Sequence, residues 1–177
     1  MQYVYLLVAG IVVSLVHAYL VWRYRDTRKR SISEYVILDK RSHLVYFVAH
    51  VICEVFVLLY AYQFFIVNQN FQAPFYLLVV FSVLDFVQAI LPSRKRTKKI
   101  HILAAYVSWV SYLLAGLVAL LGLTVQQPYS LVSWILFVVV VGMFIYMHIN
   151  RSKLYPYQLL MVPLYVVCML MVTMGAS

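Results

Sequence analysis

Three side chains in this sequence are of a chemically active type and lie where water does not readily reach: His50, Glu54 and Asp85. His50 and Glu54 are four residues apart, so a helix puts them on one face, together with His43 seven residues before His50. Asp85 lies in a second apolar stretch, in a stripe of Ser82, Asp85 and Gln88 at three-residue spacing. An ionisable group inside an apolar helix costs several kcal/mol, so it needs a partner and by default suggests a function. Imidazole and carboxylates at staggered depth can relay protons or bind a small solute, since histidine titrates near neutral pH. Gln88, His17 and His101 would complete such a site from neighbouring segments. The same residues also make an acceptable nitrogen and oxygen set for zinc or a similar metal: His50, Glu54 and Asp85, with His17 or His101 as fourth ligand. Haem needs two histidines at equal depth on facing helices, and His50 with His17 or His101 would supply them. A purely structural alternative stands beside these. A His50–Asp85 hydrogen bond pins two helices and contributes about 0.6–2 kcal/mol in a membrane.

Other chemistry is missing. No lysine lies inside an apolar stretch, so a Schiff base of the retinal type has no anchor. There is no HExxH pair and no glycine-rich phosphate loop. Met143, Met147, Met161, Met169, Met171 and Met174 read as core or lipid-facing filler rather than copper ligands. Cys53 and Cys168 lie in separate apolar stretches and read as small packing residues.

The elements that must carry these residues follow from composition. The chain has 177 residues, 66% hydrophobic and 11% charged, with a mean hydropathy of +0.92. A soluble domain is nearer half apolar and a quarter charged. Spanning helices need about 20 apolar residues, and six such stretches are present: 2–22, 42–67, 73–91, 100–123, 130–149 and 156–175. With no water in the bilayer, each span must satisfy its own backbone, so the expectation is an all-α integral membrane bundle of six transmembrane helices in a single domain over 1–177.

Charge sets the expected orientation. All 14 lysines and arginines fall in three connections. These are the segment 23–41 (Arg28, Lys29 and Arg30 among others), the turn holding Arg94, Lys95, Arg96, Lys98 and Lys99, and the turn holding Arg151 and Lys153. The opposite turns, 68–72 and 124–128, carry no charge. The positive-inside rule then makes the basic loops cytoplasmic and both termini extracytoplasmic, in a cell membrane. The formal charge of +9 is read as topology plus attraction to anionic lipid headgroups, with Arg28, Lys29, Arg30, Arg94, Lys95 and Arg96 nearest them, and not as nucleic-acid binding. A homo-oligomer or a partner membrane subunit is compatible with the composition.

Depth follows from position. His50 and Asp85 each lie about 10–12 Å from the cytoplasmic ends of their helices, and Glu54 one turn deeper. A short hairpin makes those helices antiparallel neighbours, so His50 and Asp85 can meet. In the segment 23–41, Ser31 and Glu34 have capping-box spacing, and Ile32, Tyr35 and Val36 recur at helical spacing. That predicts either a short interfacial helix or a basic loop. Shifting the chain by 58 residues lays spans 2–3 over spans 4–5, His43 on His101, which suggests a duplicated core with spans 1 and 6 outside it. Pro163 should kink the last span.

The Ser31-Ile32-Ser33-Glu34 segment before span 2, Ile90-Leu91-Pro92 closing span 3 and Ile100-His101 opening span 4 together resemble a bacterial and archaeal six-helix membrane family known only as domain of unknown function 998. The resemblance implies the six-helix fold and no activity. From the residues themselves, the leading expectation is a multi-pass membrane protein that binds or passes a small solute, ion or proton. The alternatives are a membrane enzyme or redox protein using metal or haem at His50, Glu54 and Asp85, and a structural accessory subunit.

Overall fold

Long apolar stretches without water must close their hydrogen bonds internally, and here they do so as helices. A computed structural model of the chain describes residues 2–24, 31–91, 93–94, 96–150 and 155–176. Arg28, Lys29, Arg30, Pro92 and Lys95 lie outside the described residues. The helices are α1 (Gln2–Arg23), α2 (Ile32–Val36), α3 (Lys40–Ala61), α4 (Gln72–Ile90), α5 (Lys98–Gly122), α6 (Tyr129–Ile149) and α7 (Tyr155–Gly175). No strand occurs among the described residues. Six helices are long and apolar enough to cross a membrane, all but α2. The chain is thus built as a multi-pass membrane protein. Its span boundaries fall within two residues of those expected.

The outward faces are apolar, with Ile11, Leu15, Leu103, Leu121 and Val138 all exposed, while His17, His50, His101, Glu54 and Asp85 are buried. That is the reverse of a soluble protein, in which large exposed apolar patches are rare. α1 packs on α3 and α7, α3 on α4, α4 on α5 and α6 on α7, while α5 meets α6 and α7 only thinly. The spans therefore form a ring, and the expected duplicated core with spans 1 and 6 outside does not form. The reason is local to α1. Leu6, Ala9, Gly10, Val13, His17 and Leu20 make one buried stripe, and Gly10 lets the Val166 side chain of α7 approach so closely that a Cβ would clash with it.

Two local features differ from the sequence expectation. α3 starts at Lys40 because Asp39 caps it, accepting from the Ser42 amide at 2.7 Å. α3 also does not run on as a regular helix. It continues as a π-helical segment, Tyr62–Asn68, which turns the consecutive Phe64 and Phe65 both inward, fully buried. Phe64 stacks on Tyr60 and Phe65 meets it edge-on; the Tyr60 hydroxyl bonds Thr173 of α7 at 2.8 Å. This aromatic plug closes the bundle at the end bearing the uncharged turns.

The capping box at Ser31 and Glu34 is replaced by a different arrangement. α2 forms, but the Ser31 hydroxyl bonds Ser33 at 3.1 Å and makes no side-chain cap. Nor does α2 lie on the surface. Ile32 is 3% and Tyr35 1% exposed, packed with Leu20, Tyr46 and Ala89 inside the bundle's basic end. The Ile32 amide donates to Gln158 Oε1 of α7 at 2.9 Å, so α2 is held under the ring.

Candidate functional site

Antiparallel packing of α3 on α4 brings the two polar stripes together. His50 Nδ1–H donates to the Asp85 carboxylate, and Gln88 Nε2 donates to the other Asp85 oxygen at 3.5 Å. Exposures are 5% for His50, 6% for Glu54 and 8% for Asp85. One ligand atom from each of these three lies within 4.8 Å of the others. Glu54 is the odd member. Ser82 and Asp85 stand beside it, yet neither of its oxygens makes a hydrogen bond of normal geometry. A buried carboxylate left in that condition is costly.

The histidines expected to join the site take different positions. His17 of α1 is buried, its ring centroid 5.7 Å from that of His50, and neither of its nitrogens has a hydrogen-bond partner. Bonding to Asp85 leaves His50 Nε2 without a partner as well. His101 donates from Nδ1 to the Leu91 carbonyl at 2.9 Å, which fixes its tautomer at the entrance of α5. His43 shares the sequence stripe of His50 but bonds the Ala89 carbonyl at 3.0 Å and serves the α3–α4 contact.

These residues border a cavity of about 460 Å³ to which all six spans contribute. His17, His50, Glu54, Asp85, Gln88 and His101 all line it. The cavity also has an apolar part, formed by Leu6, Val57, Phe81 and Val166. Toward the basic end it reaches Ser31, Ser33 and Glu34 of α2, Ser93, and the exposed Lys98. Along the thin α5–α6 seam, Tyr106 meets His148 edge-on with ring centroids 4.3 Å apart, and both line the cavity. Arg94 and Arg96 are exposed in the α4–α5 turn.

Sequence reasoning missed the aromatic wall. Tyr46 lies 4.0 Å from His50, ring to ring, and Trp109 and Tyr112 line the cavity from α5. The signal for Tyr46 was its position four residues before His50, on the same face. The role of α2 as a floor was missed too, because its partner Gln158 is 126 residues away in the chain.

Comparison of the chain with protein-family models, with curated proteins and with solved structures gives no match. The chemistry must therefore be argued from the site itself. An acid pair, imidazoles and aromatic rings around one cavity make a surrounding that favours positive charge over anions.

Proposed function

We propose that the protein binds a small cationic solute, a metal ion or a proton in this cavity, entering from the cytoplasm, and that passage to the other side needs the aromatic plug to move. The orientation follows from the positive-inside rule, with basic loops cytoplasmic, both termini extracytoplasmic and a cell membrane as the location. The exposed Arg94 and Arg96 then face anionic headgroups. Kinship with the six-helix family of unknown function belongs to the same proposal and concerns the fold alone.

One observation carries the reading: a buried carboxylate, Glu54, neither of whose oxygens makes a hydrogen bond of normal geometry, bordering a cavity that continues to the basic end. A side chain serving only to join helices would be expected to have closed its bonds. Infrared spectra of the purified full chain test it. Glu54 should give a carboxyl band, absent in Glu54→Gln, that shifts in D₂O and titrates with bulk pH. A band that neither shifts nor titrates would mean a sealed interior and would sink the reading.

A further inference from the structure

We infer that the cavity is a site for one divalent transition-metal ion of the zinc class, ligated by Glu54, His50 and His17, with Asp85 holding His50 in place. The inference rests on the binding-cavity reading above and names its occupant.

Four facts converge on it. The ligand atoms of His50, Glu54 and Asp85 already lie within 4.8 Å of one another; His17 stands outside that group, but its ring centroid is 5.7 Å from that of His50, a spacing at which two imidazoles can share one ion. Among the residues that line the cavity, the buried polar atoms without partners are His50 Nε2, both nitrogens of His17 and both oxygens of Glu54. Each of those atoms is a metal ligand by type, and one ion would give all three side chains a partner at once. Asp85 on His50 Nδ1 matches the carboxylate that commonly orients a metal-bound imidazole and fixes its tautomer. Last, the charges balance. Two carboxylates carry two negative charges against two positive on the ion, which removes the cost of burying Glu54 and Asp85 together. A lone proton would neutralise Glu54 but would leave His17 and His50 Nε2 unsatisfied. The set has no thiolate. Nitrogen and oxygen donors suit zinc and its neighbours rather than copper(I).

The test is metal titration of the full chain in detergent after chelator treatment, with Co²⁺ as the spectroscopic probe and Zn²⁺ as competitor. Wild type should bind about one equivalent of Co²⁺, with the visible absorption of a low-coordinate nitrogen and oxygen site, and Zn²⁺ should abolish it. Loss of an outer carboxylate typically costs about 10–100-fold in metal affinity, so Asp85→Asn should fall in that range and Glu54→Gln and His50→Gln beyond it. Helix content and gel-filtration profile report whether each variant folds. Glu54→Gln is the safest variant, since it keeps the side chain's size and Glu54 makes no hydrogen bond of normal geometry. No cobalt spectrum in wild type, or equal affinity in Glu54→Gln, would overturn the metal site. If the Glu54 band still shifts in D₂O while metal fails to bind, the cavity stands and only the coordination falls. If both fail, both readings fall.

Discussion

Glu54 and Asp85 are both buried carboxylates, but they differ in what they touch, and that difference predicts opposite behaviour. Asp85 accepts from His50 and Gln88. Asp85→Asn weakens a charge-assisted bond between α3 and α4 and should cost about 1–2 kcal/mol. Glu54 holds no such bond, so Glu54→Gln should leave stability unchanged or raise it. Thermal unfolding followed by tryptophan fluorescence in detergent checks both. A loss in Glu54→Gln as large as in Asp85→Asn would make Glu54 a structural residue. At this scale much was legible in the sequence. His50, Glu54 and Asp85 stood out because charge inside an apolar helix is expensive, and their spacing put them on facing stripes. Tyr46 was hidden among sixteen tyrosines, most of which suit the membrane interface equally well. That His17 would lack partners was not legible either, because hydrogen-bond closure depends on neighbours from other helices.

Among the elements, α2 and the start of α3 are tied to the rest of the bundle by a few polar contacts. Asp39 caps α3, and the hydroxyl of Tyr24 donates to its carboxylate, with Arg23 at 3.5 Å. Chiefly through the bond from the Ser42 amide, and also through Arg23, the Asp39 carboxyl is held below its ordinary pKa of 3.8. A depressed carboxyl stabilises the fold above its unfolded value and loses that effect as pH falls through the lower folded value. Amide protection at the first turn of α3, taken against the intrinsic exchange rate at each pH, should therefore fall below pH 3.8. In Asp39→Ala it should be low at every pH. An unchanged profile in that variant would remove the cap from the explanation. Gln158→Leu should release α2, costing about 1 kcal/mol or somewhat more because the Ile32 amide is left without its partner. Proteolysis at 31–38 reports that release. Span positions were legible because length and hydropathy decide them. The π-helical turn was not, since Tyr62 to Asn68 reads as ordinary helix and the wider turn is set by where Phe64 and Phe65 find space. Ser31 and Glu34 had the spacing of a cap, but burial of Ile32 and Tyr35 governs that segment instead.

The whole molecule is inside-out, apolar toward its surroundings and polar at its centre, with an aromatic plug at one end and a basic mouth at the other. Composition made the membrane class legible, and the charge pattern gave an orientation to test. The ring closure was not legible. It depends on close approach between Gly10 and Val166, residues far apart in sequence whose meeting no local pattern announces. The cavity is a product of that closure, since α1 and α7 contribute His17, Val162 and Val166 to its wall. Cys53 lines the same cavity beside Glu54, whereas Cys168 is fully buried and donates to the Ser133 carbonyl at 3.3 Å. A Cys168→Ala chain thus carries a single thiol inside the cavity. The most direct measurement is modification of that thiol by a small, cationic, membrane-impermeant thiosulfonate, applied to one membrane face at a time. Cys53 should react from the cytoplasmic face only. No reaction from either face, or reaction from the outer face alone, would contradict a cation-binding cavity open to the cytoplasm.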